Sequence, residues 1–230
     1  MASRKKRFAQ GCLVVVLVAA LVFVISARRF IFRKHWDVVS IATTPEYHDA
    51  RELDRAWALP VAARYKDTLV YQSNGSTCGP TSATDVDRSW GKPAETVDDF
   101  LRDSGKCRFG VCFGGLELDE LAGLVRDKSK RKVTVLRDLT VDQFREHVRR
   151  SNDPSRRYVI NFDRGPLFGP AGGHHSPIGG YLDDEDLVFV LDVNAKYKPW
   201  LVKTDRLFAA MDTIDEGSGK KRGLLLIETN

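Results

Sequence analysis

Between about residues 78 and 150, hydrophobic residues recur at helical spacing. Five of them predict an amphipathic helix over Leu116–Asp127. They are Leu116, Leu118, Leu121, Leu124 and Val125. Four other helices are predicted. One runs from Cys78 to near Trp90, and the others are Thr96–Arg102, Val141–Arg150 and Thr204–Met211. Thr140 is the predicted N-cap of Val141–Arg150.

Short apolar runs appear from residue 133 onward, and after about residue 157 we predict mainly strands. They are Val133–Leu136, Tyr158–Phe162, Pro177–Leu182, Leu187–Val193 and Gly223–Glu228. The acidic turn Asp183–Asp186 joins two of these strands into an antiparallel pair. Because helices come first and a largely antiparallel sheet follows, the pattern favours an α+β fold over a doubly wound sheet.

A separate N-terminal segment precedes this pattern. An uncharged run from Phe8 to Ala27 lies between basic residues at positions 4–7 and 28–29. A membrane span needs about 20 apolar residues, so a cleavable signal peptide and a signal anchor both stay open. We expect export, with the following domain outside the cytoplasmic membrane of a bacterium. The predicted organisation is this segment over 1–35, a connector and lead-in over 36–68, and the main domain over 69–230.

The basic charge of the chain belongs to the N-terminal segment. Of 36 Lys and Arg residues, eight lie in residues 1–35, which contain no acidic residue. The remainder has 28 basic residues against 31 acidic ones, a net charge of −3. Nucleic-acid binding needs a basic face on the domain itself, so the composition argues against it. The sequence leaves the oligomeric state open, a homodimer included.

Four residues occur in an order typical of cysteine-nucleophile enzymes: Gln72, Cys78, His174 and Asp192. A helix N-terminus and an imidazolium both lower the pKa of a thiol, and Cys78 starts a predicted helix. His174 would take the thiol proton and Asp192 would orient its ring. Gln72 and the Cys78 backbone N–H would stabilise a developing oxyanion. His175 is interpreted as a neighbour in an aromatic position.

The main domain resembles the phytochelatin synthase family. The resemblance rests on Gly-His174-His-Ser-Pro-Ile-Gly-Gly-Tyr and on Leu-Asp192-Val, and it covers roughly Leu69 to Glu228. It implies a papain-like fold and a thioester between Cys78 and the γ-glutamylcysteinyl part of glutathione, with glycine expelled. Water would then give γ-glutamylcysteine, and a second glutathione would give phytochelatin.

The resemblance also assigns substrate contacts and cofactors. Asp215 matches a position that receives the α-ammonium of the γ-glutamyl group, and Arg222 matches one that receives its α-carboxylate. No resident cofactor is required, and heavy-metal ions such as cadmium and zinc enter as thiolate complexes of the substrate. Ala195 stands where the family often has Arg, and the chain ends at Asn230 without the cysteine-rich region of plant members. We therefore expect hydrolysis, as in short prokaryotic relatives.

Other interpretations stay open at this point. A membrane-anchored papain-like peptidase that cuts double-glycine leaders would use the same four residues. A catalytically silent thiol or metal-binding module is a third hypothesis, and it conflicts with the intact Cys78, His174 and Asp192. Cys107 and Cys112 are compatible with a local disulfide, and a zinc site lacks further ligands at suitable spacing.

Overall fold

The computed structural model describes residues 34–91 and 96–229. The chain divides into a unit from Met1 to His35 and a compact unit from Trp36 to Asn230. The signal or anchor predicted over 1–35 lies almost entirely outside the described residues, so it stays a prediction. Among the residues that are described, no helix has the length and apolar character needed to cross a membrane.

Five of the seven described α-helices lie close to predicted positions, whereas Ala50–Trp57 and Gly165–Phe168 were not predicted as helices. Their bounds are α1 Ala50–Trp57, α2 Cys78–Ser89, α3 Val97–Asp103, α4 Leu118–Ser129, α5 Val141–Arg149, α6 Gly165–Phe168 and α7 Thr204–Met211. Thr140 caps α5 by accepting a hydrogen bond from the Gln143 backbone, and the Gln143 side chain accepts one in return. This reciprocal capping explains why the start of α5 could be located from sequence. The helix α1 and the rest of residues 36–68 belong to the same compact unit as the main domain.

A six-stranded antiparallel sheet forms the centre of the unit. The strands are β3 Lys132–Leu136, β4 Arg156–Asp163, β5 Gly173–Leu182, β6 Leu187–Val190, β7 Trp200–Lys203 and β8 Gly223–Glu228. Their order across the sheet is β3-β8-β4-β5-β6-β7. Two further short strands, β1 Cys107–Arg108 and β2 Val111–Cys112, form a separate hairpin closed by a disulfide. Cys107 and Cys112 therefore form the local disulfide with which their sequence spacing is compatible.

Helices cover both faces of the sheet. Along β4, Tyr158, Ile160 and Phe162 enter one apolar cluster while Val159 enters the other, as the two-residue period of a strand requires. Helices α2 and α4 belong to the cluster around Val159, whereas α5 and α7 belong to the opposite one. The predicted α+β class is confirmed, with helices on both sides of one antiparallel sheet.

Candidate active site

Cys78 is the first residue of α2 and is buried, with 5% of its surface exposed. The hydroxyl of the preceding Thr77 donates to the Asn74 carbonyl at 3.2 Å instead of capping the helix. The backbone N–H groups at the N-terminus of α2, where Cys78 lies, are therefore not capped by the Thr77 side chain. The partial positive charge at this end favours a thiolate over a thiol.

Two adjacent histidines at the start of β5 approach the thiol. The Nδ1 atom of His175 lies 3.9 Å from Cys78 Sγ. Burial alone would raise the pKa of Cys78, but hydrogen bonds from His174 and His175 and their Coulombic attraction bring that pKa well below its ordinary value. The arrangement therefore favours the thiolate, which is the nucleophilic form of cysteine.

His174 is joined to Asp192 by a buried hydrogen bond. Asp192 follows β6, and the antiparallel pairing of β5 with β6 brings it beside the start of β5. The distance from His174 Nε2 to Asp192 Oδ1 is 3.0 Å, which leaves Nδ1 as the nitrogen available to the thiol. Burial and the charge of Arg164 lower the pKa of His174, but Asp192 and Cys78 raise it overall. A raised imidazole pKa and a lowered thiol pKa both favour a thiolate–imidazolium pair.

The carboxylate of Asp192 is held by four donors. Arg164 Nη2 lies 2.9 Å from both of its oxygens, and the Trp200 indole N–H donates to Oδ2 at 2.9 Å. The Asn194 backbone N–H donates to Oδ1, also at 2.9 Å, beside the bond from His174. Burial would raise the pKa of Asp192, but His174, Arg164 and Trp200 lower it far below its usual range. Asp192 therefore stays ionised and presents a fixed negative charge to His174.

Gln72 lies in the segment that leads into α2. Its backbone N–H donates to the Val193 carbonyl at 2.8 Å, next to Asp192 in sequence. Two residues earlier, the Val70 N–H donates at 2.8 Å to the buried carboxylate of Asp85 on α2. These two bonds fix the segment both to the residue after Asp192 and to helix α2, which carries Cys78. The Gln72 Oε1 atom is buried and accepts no hydrogen bond from any described residue.

Arg222 and Asp215, expected to bind the γ-glutamyl group, are paired with each other. Arg222 Nη1 lies 2.8 Å from Asp215 Oδ2 and also donates to Asn161 Oδ1 at 3.0 Å. The guanidinium lies against Gly173, where an added Cβ would come within 2.7 Å of Nη1. Since Gly173 directly precedes His174, the pair lies beside the predicted catalytic histidine.

Two residues that complete this site, Asn161 and Arg164, were not predicted from the sequence. His175 was noted, but its contact with the thiol was not predicted. Asn161 is a polar residue within an apolar strand, which was a usable signal, because a buried amide needs hydrogen-bond partners. Arg164 lies outside the predicted strand, in a turn that carried no recognisable pattern. The hydrogen bond from Trp200 to Asp192 was not predicted from the sequence either.

Within residues 34–91 and 96–229, no group of three or more His, Cys, Asp or Glu side chains is arranged to hold a metal ion.

The disulfide hairpin of β1 and β2 contacts the segment that precedes Cys78. The Cys112 backbone N–H donates to Ser76 Oγ at 3.0 Å, and the Asn74 amide donates to the Gly110 carbonyl at 2.7 Å.

Comparison with known proteins gives matches over this part of the chain. A family model described as phytochelatin synthase matches residues 58–224. Glutathione gamma-glutamylcysteinyltransferase 1 of Arabidopsis thaliana is 32% identical over 168 residues, which cover 68% of this chain and 34% of that protein. The glutathione gamma-glutamylcysteinyltransferase of Schizosaccharomyces pombe is 28% identical over 159 residues, covering 67% of this chain and 38% of that protein. The chain thus spans little more than a third of the length of these curated relatives.

A solved structure shares the fold at low sequence identity. It is a putative C39-like peptidase from Bacillus anthracis, with a TM-score of 0.52 and 11% identity, over 72% of this chain and 96% of that one. C39 peptidases have papain-like folds, so this likeness confirms the predicted papain-like α+β fold. At this identity the likeness shows the fold alone.

Proposed function

Because the chain belongs to the phytochelatin synthase family, we propose that it cleaves glutathione through an acyl-enzyme on Cys78 and releases glycine. The observation that carries the proposal is the buried cluster in which Cys78 Sγ, two imidazoles and the ionised Asp192 are connected. Such a cluster supplies an activated nucleophile, a proton carrier and a group that orients the carrier.

In the proposed first step, the Cys78 thiolate attacks the carbonyl carbon of the cysteinyl–glycine amide. The C–N bond breaks, a γ-glutamylcysteinyl thioester forms, and the imidazolium of His174 gives its proton to the departing glycine amine. The Cys78 backbone N–H and the Gln72 carboxamide are the proposed donors to the oxyanion. The docking of Gln72 against Val193 supports this role because it fixes the residue beside the site.

In the proposed second step, His174 takes a proton from water, the hydroxide attacks the thioester, and γ-glutamylcysteine leaves as the thiolate is restored. We propose hydrolysis as the main outcome, with transfer to a second glutathione as the competing one. Cadmium or zinc would enter as a thiolate complex of the glutathione thiol, that is, as part of the substrate.

The second candidate function is cleavage of peptides such as double-glycine leaders. The fold shared with the C39-like peptidase supports it, since the same cluster could act on an ordinary peptide bond. The Asp215–Arg222 pair favours glutathione, because a γ-glutamyl zwitterion offers one charge to each member of the pair.

Mass spectrometry of products separates the two functions. The full chain would be incubated with glutathione, with N-acetylglutathione and with a double-glycine peptide, each with and without cadmium. We expect glycine and γ-glutamylcysteine from glutathione, and much slower cleavage of N-acetylglutathione because its α-ammonium is gone. Cleavage of the double-glycine peptide alone would overturn the proposal and establish the peptidase.

Replacing Asp215 by Asn tests the proposed recognition of the substrate ammonium. We expect the KM for glutathione to rise about tenfold with kcat changed less than about threefold, since a lost charge contact on a non-reacting group weakens binding. Steady-state kinetics of glycine release measure both constants. Asp212→Asn is the matched control, because Asp212 pairs at 2.6 Å with Lys221, the neighbour of Arg222. Equal effects of both variants would argue against a specific role for Asp215.

A further inference from the structure

His175 lies on the face of β5 that contacts the nucleophile helix. It is paired directly with Asn161 across the β4–β5 ladder, so both side chains are on the same face of the sheet. Helix α2 contacts this strand closely, and Ser82 on α2 donates to the His175 carbonyl at 3.1 Å. The ring is therefore held between β4 and α2, with 2% of the residue exposed.

The orientation of the Asn161 amide is fixed by Arg222. A guanidinium can only donate hydrogen bonds, so the Asn161 atom 3.0 Å from Arg222 Nη1 is the amide oxygen. The amide nitrogen then lies 2.7 Å from His175 Nε2. Since an amide nitrogen can only donate, Nε2 accepts this bond and the ring proton lies on Nδ1.

The Asn161 amide nitrogen lies 3.4 Å from Nδ1 and 2.7 Å from Nε2, so Nε2 is the nearer acceptor. Nδ1 is also the ring nitrogen that lies 3.9 Å from Cys78 Sγ, which makes its proton available to the sulfur. We infer that His175 is a second catalytic histidine, which donates its Nδ1 proton to the Cys78 thiolate and is locked in that tautomer by Asn161 and Arg222. His174 moves protons, whereas His175 stabilises the sulfur anion before attack and again as the thioester breaks down. This inference rests on the proposed function, in which Cys78 is the nucleophile.

The charged groups around the contact between His175 Nδ1 and Cys78 Sγ are consistent with a proton held on Nδ1. The titratable and charged groups that face it are Cys78 on α2, His174 on β5, and Arg222 with its partner Asp215 beyond Asn161. Arg222 is linked to His175 through the Asn161 amide. A proton on Nε2 instead of Nδ1 would set an N–H against the Asn161 N–H, so the network favours the tautomer with its proton on Nδ1.

The test measures the rate at which iodoacetamide alkylates Cys78 across pH, using the full chain and following the modified peptide by mass spectrometry. For His175→Phe we expect the apparent pKa of the thiol to rise by about one unit, which corresponds to about tenfold slower alkylation below that pKa and little change well above it. His175→Asn puts a non-titrating amide N–H near the position of Nδ1. We expect it to keep most of the wild-type profile.

The pair of variants separates a donor from other roles. A profile for His175→Phe that coincides with the wild type would overturn the inference, and so would a full shift in a folded His175→Asn protein. If His175→Phe fails to fold by thermal melting, His175→Leu replaces it, because leucine also lacks an N–H donor and the same one-unit rise in the thiol pKa is expected. His147→Phe is the control, since His147 contacts Tyr158 on the opposite face of the sheet. Alkylation needs no glutathione, so failure of the proposed substrate leaves this result interpretable.

Discussion

Replacement of Cys78 by Ala is expected to abolish glycine release from glutathione, a loss of at least about a thousandfold. The thiolate is the group that forms the acyl-enzyme, and no other described cysteine is free, because Cys107 and Cys112 are joined in a disulfide. Cys78→Ser should be nearly as inactive. Its hydroxyl keeps the geometry but does not ionise beside an imidazole as a thiol does.

Two measurements make this prediction decisive. Rapid acid quench followed by intact mass analysis should detect a γ-glutamylcysteinyl adduct on the wild-type chain and none on Cys78→Ala. Calorimetry should show that Cys78→Ala still binds glutathione, which separates loss of chemistry from loss of the binding site. Turnover by Cys78→Ala at the wild-type rate would rule out the proposed thioester, and the site would then need another nucleophile.

The fold could be predicted well where local patterns determine it. The helix Thr204–Met211 and the strand Gly223–Glu228 have the predicted bounds, and α5 begins behind the predicted cap at Thr140. Each of these depends on spacing or capping within about ten residues. The strand order β3-β8-β4-β5-β6-β7 was not predicted, because it depends on contacts between residues far apart in the chain.

The same distinction applies to the site. Cys78, His174 and Asp192 could be proposed from their order and surroundings, and the structure places them together. Asn161 and His175 meet only because β4 pairs with β5 in one register, and a shift by one residue would put them on opposite faces. Arg164 reaches Asp192 from a turn that is 28 residues away in sequence. Sequence spacing contains no information on either contact.

Replacement of Asp192 by Asn is the second large effect that we expect. We predict a fall in kcat of about a hundredfold to ten-thousandfold with a much smaller change in KM, because Asn can no longer hold the imidazolium of His174 by charge. Asn also presents an N–H₂ group where Asp192 accepted bonds from Arg164, Trp200 and the Asn194 backbone. The steady-state kinetics of glycine release would measure the two constants.

A matched control separates catalysis from the packing of this region. Trp200→Phe removes the indole donor to Asp192 Oδ2 but leaves the His174–Asp192 bond in place. We expect it to lower the melting temperature while kcat falls less than about tenfold, since one buried hydrogen bond contributes about 1 kcal/mol. If Trp200→Phe lost as much activity as Asp192→Asn, the effect would come from local packing and not from the charge on His174.

The pH dependence of stability provides a test that does not require a substrate. The folded-state pKa of Asp192 is far below that of an unfolded Asp, so its ionised form stabilises the fold at pH values above the unfolded pKa of about 3.9. That contribution is lost as the pH falls from about 4 towards the lower folded-state pKa. The wild-type melting temperature should therefore fall more steeply below about pH 4 than that of Asp192→Asn, which has no carboxylate at this position. Parallel curves would show that Asp192 does not carry the buried charge that orients His174.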